Sequence, residues 1–180
     1  MERIFLLSPA NLSGIRGRLI LSETAGFELA VRLRESGAPI GEVFAFVSGL
    51  YFRGKLAYGT AFGTSFVITA NRGLVPPETF VTVDDLKEIA GVDIDAAEPR
   101  YREPLERDAL DLNRRASEVV LLGSLATMKY REPLSAIFGS GLLFPSQFIG
   151  RGDLSRGSIL LNAVRDGKEL EYTNAWPDPL

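Results

Sequence analysis

The sequence predicts an α/β domain with three layers: a short, mostly parallel central sheet flanked by helices. Three observations carry this reading. Short apolar runs alternate with longer amphipathic segments along the chain, the pattern of strands linked by crossover helices. The run Val119-Val120-Leu121-Leu122 is apolar without interruption, as in a strand buried on both faces. At 180 residues the chain is long enough to bury such a core as a single domain, residues 1–180.

The first strand spans Arg3 to Leu7 and ends at Ser8-Pro9-Ala10-Asn11. Ser13 can cap a helix over Gly14–Leu21, and Thr24 a second one to Ser36, stopped by Gly37. Gly41–Val47 suits either a buried strand or a helical turn, and periodicity does not decide over so short a run. Ser48 is the expected cap of a helix through Phe62. Ser65–Thr69 reads as a strand, Ala70–Gly73 as a turn, and Val75-Pro76-Pro77 as an extended connection.

Residues 76–100 are the expected insertion: a short strand at Phe80–Thr82, a helix over Asp84–Ala90, and an acidic loop from Gly91 to Arg100. Pro104 is expected at the start of a helix running to Ala116. After the strand Glu118–Leu122 a helix extends to Phe138, followed by a strand at Leu142–Phe144. A helix over Asp153–Arg165 and an edge strand at Glu169–Tyr172 complete the fold, and 174–180 is a loose tail. The pentapeptide Tyr-Arg-Glu-Pro-Leu occurs at 101–105 and at 130–134; its flanks differ, so it reads as reused helix-entry chemistry or coincidence.

The chain contains neither cysteine nor histidine. This excludes disulfides, thiol nucleophiles, cysteine-based zinc and iron–sulfur sites, Ser-His-Asp triads and imidazole acid–base catalysis. Any chemistry must use carboxylates, lysine, tyrosine, hydroxyls, amides, arginine or backbone dipoles, with oxygen-bound Mg2+ the remaining metal option. No motif calls for a resident cofactor or metal. No signal peptide or membrane span is legible, so the cytoplasm is the expected location and no membrane partner is expected. The net charge is -3, with the acidity concentrated in residues 76–118.

Ligands of open parallel sheets bind beyond the carboxyl ends of the strands. That rule collects the loops Ser8–Ser13, Asn71–Gly73, Ser124–Tyr130 and Ser146–Arg156. Candidate binding residues there are Ser8, Asn71, Arg72, Ser124, Lys129, Tyr130, Gln147, Arg151, Ser155 and Arg156. Four cations against Asp153 form a basic rim suited to a nucleotide, a nucleobase or a phosphorylated small molecule. Gly150–Gly157, with three glycines and two arginines at a helix entrance, offers N–H groups to phosphate. Asp153 is there either a helix cap or a catalytic carboxylate.

Gly49-Leu50-Tyr51-Phe52-Arg53-Gly54-Lys55 fits GxxxxGK, but Leu56 replaces the magnesium-binding Ser or Thr. It reads instead as a helix start from which Tyr51, Arg53 and Lys55 face a ligand or a neighbouring loop.

Three elements resemble the uracil-DNA-glycosylase-like superfamily: Leu7-Ser8-Pro9-Ala10-Asn11, Val119-Val120-Leu121-Leu122-Gly123-Ser124-Leu125-Ala126, and Phe144-Pro145-Ser146. Phe144 stands where that family carries histidine. The overall pattern is also similar to an uncharacterised bacterial α/β protein family. The glycosylase resemblance implies a three-layer fold and N-glycosidic bond chemistry on a nucleoside or nucleic-acid base. Asn11 would orient water and Asp153 would stabilise an oxocarbenium-like sugar. Arginines would hold phosphates, and Tyr51 or Tyr130 would stack on a base. Nucleic acid is then a further candidate partner. The alternative is a non-catalytic nucleotide- or nucleic-acid-sensing or protein-interaction module.

Overall fold

The computed structural model describes residues 2–116, 118–124 and 127–174. Of the expected tail at 174–180, Asn174 instead ends the last strand, and 175–180, with the end of the Val119–Ala126 motif, lie outside the described residues. The elements are β1 (Arg3–Leu7), α1 (Ile15–Leu21), α2 (Glu28–Glu35), β2 (Ala38–Pro39), α3 (Ile40–Ser48), α4 (Leu50–Phe62), β3 (Thr64–Ile68) and β4 (Leu74–Val75). They continue as β5 (Phe80–Val81), α5 (Val83–Ala90), α6 (Pro99–Asn113), β6 (Glu118–Leu122), α7 (Met128–Phe138), β7 (Leu142–Pro145), α8 (Asp153–Asp166) and β8 (Tyr172–Asn174).

Six strands form one sheet in the order β4-β3-β1-β6-β7-β8. The four inner strands are parallel, with Leu7 opposite both Val67 and Leu122, and Val120 opposite Leu143. Both edges are antiparallel, β4 folding back on β3 and β8 on β7. The expectation of a mostly parallel sheet is therefore corrected: the sheet is mixed, because a short turn folds β4 back on β3 at one edge and the chain returns through α8 to lay β8 against β7 at the other. A separate ribbon pairs β2 with β5.

Strand alternation splits the core into two halves. Phe5, Leu7, Val120 and Leu122 face a cluster with Ile20, Leu33, Phe44, Phe52, Leu86 and Leu160. Ile4, Leu6, Val119 and Leu121 face Tyr101, Leu105, Leu112, Leu134 and Phe138. One helical layer thus holds α1–α5 and α8, and the other holds α6 and α7. The chain leaves β1 towards β3 across the first layer and leaves β6 towards β7 across the second, as right-handed crossovers in opposite directions require. The crevice between the ends of β1 and β6 is the topological switch point.

Several local expectations change. Gly41–Val47 is helical, inside α3. Ser48 ends that helix, and Gly49, at φ 68°, turns the chain sharply into α4. Thr24 lies outside α2, whose start is Phe27. The last strand sits at Tyr172–Asn174 instead of Glu169–Tyr172.

The two Tyr-Arg-Glu-Pro-Leu copies are not helix entries: each lies inside a helix, with Pro104 and Pro133 both at the sixth position. A proline there leaves the carbonyl four residues back without its helical donor. For Pro133 that carbonyl is Lys129's, and the Tyr101 hydroxyl donates to it at 2.7 Å. Arg102 of the first copy pairs with Glu132 of the second at 2.7 Å, so the copies pack against each other.

Candidate functional site

The inner strands being parallel, the loops after β1, β3, β6 and β7 emerge at one edge of the sheet. What converges there is set by a close helix crossing. A Cβ on Gly54 of α4 would lie 2.9 Å from the Gly157 carbonyl oxygen. One on Gly157 of α8 would lie 3.0 Å from the Leu50 oxygen and the Tyr51 Cα. Only hydrogen at both positions lets the start of α8 settle on the first turns of α4.

Lys55 lies on the inward stripe of α4 with Tyr51, Phe52 and Tyr58, and only 2% of it is exposed. Its ammonium donates to the Ser8 carbonyl and to Ser8 Oγ, each at 2.8 Å. It sits 4.3 Å from the Tyr51 ring centre and 5.1 Å from that of Phe52. Among the described residues no carboxylate pairs with it. Burial pushes its pKa down to about 7; Asp153 opposes the shift and Arg156 adds to it.

Ser8 is the first residue beyond β1, and its amide bonds the Leu122 carbonyl at 3.1 Å, joining the ends of β1 and β6. Its hydroxyl has a stretched bond of 3.4 Å to the same carbonyl. Gly123 makes room for this side chain, since a Cβ there would come within 2.9 Å of Ser8 Cβ and Oγ.

Tyr51 is 7% exposed, and among the described residues its buried hydroxyl makes no hydrogen bond of good geometry, the Arg156 guanidinium interacting with it only loosely. Its ring meets Phe148 edge-on, with centroids 6.3 Å apart. Burial raises its pKa to about 12, with Arg156 pulling down and Asp153 pushing up. Tyr130, entering from the opposite layer, is raised by burial and then by the Tyr51 hydroxyl. Arg156 donates to the Phe148 carbonyl at 3.4 Å and lies over that ring, while its Nε is buried and unpartnered. Asp153 is exposed in the first turn of α8, whose N-cap is Gly152; the capping alternative for Asp153 is thereby excluded.

Of the residues singled out in the sequence, Ser8, Tyr51, Lys55, Tyr130, Asp153 and Arg156 come together, and Ser124 follows β6 at the same edge. Asn11 and Lys129 line an adjoining cleft of about 580 Å³ with Pro9, Ala70, Asp93, Asp95 and Tyr130. Asn11 Oδ1 accepts from the Ser13 amide at 3.0 Å and the Ser13 hydroxyl at 2.6 Å, so it is engaged in its own turn.

The others lie apart. Arg53 is on the opposite face of α4, in a separate groove with Arg16, Phe46 and Leu154. The P-loop-like segment is helical, its Arg53 amide bonded to the Gly49 carbonyl at 3.0 Å. Arg72 is not free for phosphate, because it pairs with Asp85 at 2.7 Å and Glu88 at 3.1 Å on α5. Asn71 borders a cleft beside Arg100 and Arg107. Gln147 borders another, beside Lys168 and Glu171. Arg151 is exposed and donates to Ser155 at 3.3 Å. With Arg72 neutralised and Asp93 and Asp95 lining the cleft, the rim is less basic than the sequence implies. Gly157 is no phosphate-loop glycine either, since it sits inside α8.

Phe144 is buried in the second cluster. The Ser146 amide and hydroxyl both donate to the Glu171 carbonyl, at 3.0 and 3.2 Å. Among the described residues no group of three or more acidic side chains is placed to hold a metal, and no helix is long and apolar enough to cross a membrane.

Sequence reasoning missed Phe148 and the Gly54–Gly157 crossing. Paired glycines within two helices were the available signal. No known family model matches the chain, and no curated protein or solved structure matches it.

Proposed function

We infer that the strand-end cluster and the cleft beside it bind a nucleotide, a sugar phosphate or another phosphorylated small molecule, with the base of a nucleotide against the aromatic wall and its phosphate supplying the negative charge. The observation that carries this reading is the Tyr51 hydroxyl, buried beside Arg156 and the start of α8 with no well-formed hydrogen bond among the described residues. A buried hydroxyl left without a good hydrogen bond costs about 1–3 kcal/mol, which a ligand's acceptor would recover. The unpartnered Arg156 Nε, the first-turn amides of α8 and the Lys55 amine all favour negative charge at that point. Tyr130 supplies an aromatic wall towards the adjoining cleft. N-glycosidic chemistry of the glycosylase type would require Asn11 to leave its turn before it could orient water.

Thermal denaturation in the presence of nucleobases, nucleotides and sugar phosphates tests the reading. A ligand at a hundred times its Kd stabilises by about 2.7 kcal/mol, roughly 5–10 °C for a chain of this size. Tyr51→Phe and Arg156→Ala are expected to abolish most of that shift. A screen in which no compound raises Tm, or a shift that survives Arg156→Ala, overturns the assignment.

A further inference from the structure

The amine of Lys55 and the hydroxyl of Ser8 have a relationship that ligand binding alone does not require. An amine buried to 2% exposure with no carboxylate partner destabilises a fold, and a methionine would fill the same space among Tyr51 and Phe52. Both of its hydrogen bonds go to one residue, the serine at the switch point of the sheet. Among the described residues, that serine's own hydrogen has only the stretched 3.4 Å contact with Leu122 to hold it. When Lys55 is neutral, the 2.8 Å contact can reverse, the hydroxyl donating to Nζ while Nζ keeps its bond to the Ser8 carbonyl.

We propose that Ser8 and Lys55 form a nucleophile–base dyad that cleaves a carboxylic ester or thioester carried on a phosphorylated group. The carrier's class rests on the anion-binding reading above; the dyad stands on its own geometry. Lys55 takes the hydroxyl proton as Ser8 Oγ bonds to the acyl carbon. The tetrahedral adduct collapses, the bond to the leaving oxygen or sulfur breaks, and that atom takes the proton from Lys55. Water then attacks the Ser8 ester, passing its proton through Lys55 to Ser8 Oγ as the ester bond breaks and the acid leaves. The depressed Lys55 pKa, near 7, keeps a large share of the amine neutral at physiological pH; Asp153 and Arg156 from α8 and Tyr51 from α4 are the charged and titratable groups that face it. The adjoining cleft is lined from Pro9, the residue after Ser8, and includes Tyr130; Ser8 itself is 6% exposed, so substrate must reach it from that side.

An alkyl fluorophosphonate, applied to the intact chain between pH 6 and 9, tests the dyad. Ser8 Oγ bonds to phosphorus, the P–F bond breaks, fluoride leaves and Lys55 receives the proton. The expected result is one adduct, mapped to Ser8, forming faster as pH rises through about 7. Lys55→Met is expected to slow labelling by about 100-fold or more.

Ser8→Cys keeps a side chain of similar size and a nucleophile in place, so the test does not depend on a truncated Ser8→Ala variant folding. The chain has no other cysteine, so this variant carries one thiol. Beside Lys55 its alkylation by iodoacetamide is expected to titrate well below the ordinary thiol value of about 8.5, and to return there when Lys55→Met is added. No adduct on Ser8 at any pH, labelling unaffected by Lys55→Met, or a thiol that iodoacetamide cannot reach overturns the dyad. Thermal stabilisation by a phosphate compound with Ser8 unlabelled overturns the dyad and leaves the binding reading. Labelling without such stabilisation retains the dyad and overturns the phosphorylated carrier.

Discussion

Lys55 occupies a position on α4 where its stripe neighbours Tyr51, Phe52 and Tyr58 are aromatic, and among the described residues its hydrogen bonds are to Ser8 alone. Its pKa near 7, against 10.5 when unperturbed, ties stability to pH. Between those values the unfolded chain binds the proton and the folded chain does not. Stability therefore rises with pH from about 7 towards 10.5, and this contribution is lost as pH falls through 7. Urea unfolding of the native chain and Lys55→Met is expected to diverge over that window. The native chain should gain up to about 1.4 kcal/mol per pH unit relative to the variant. Parallel stability curves from pH 6 to 10 would show that the amine keeps its ordinary pKa. GxxxxGK drew attention to Lys55 for the wrong reason: the residue matters through burial on a helix face, which a phosphate-loop pattern does not describe.

At the scale of elements, the crossing of α4 and α8 brings Tyr51 and Lys55 together with the start of α8. Gly54→Ala gains about 1 kcal/mol of helix propensity at an unhindered site. Here the new methyl group meets the Gly157 carbonyl at 2.9 Å, so the helices must separate, and a net loss of about 1–3 kcal/mol is expected. Chemical denaturation measures it, and a stabilised variant would refute the tight crossing. Regular elements with clear apolar stripes, such as β1, β6, α5 and α8, were legible within a residue or two. Capping misled where the chain had another partner: Ser48 reads as a cap, yet Gly49 with its positive φ makes the break. Pro104 and Pro133 read as helix entries, yet a hydroxyl from the neighbouring helix relieves Lys129, so Pro133 is tolerated inside its helix.

Across the molecule, β1 and β6 lie at the centre of the sheet with helices on both faces, whereas β8 and the β2–β5 ribbon lie at the margins. Native-state hydrogen exchange should find the slowest amides in β1 and β6 and the fastest strand amides in β8 and the ribbon. Equal protection of β8 and β1 would mean that the edge is covered. The sequence alone determined that the chain is α/β, that any chemistry it performs uses neither histidine nor cysteine, and that loops follow the parallel strands β1, β3, β6 and β7. These follow from composition and from periodicities that local backbone geometry imposes. Only the tertiary structure decided that the sheet is mixed and that Arg72 is neutralised by α5. It alone joined Ser8 to Lys55 across 47 residues, beside a buried tyrosine hydroxyl with no well-formed hydrogen bond among the described residues. Pairings of that kind depend on which faces meet in three dimensions: α4 lies against the end of β1, and close approach at Gly54 and Gly157 brings α8 onto α4.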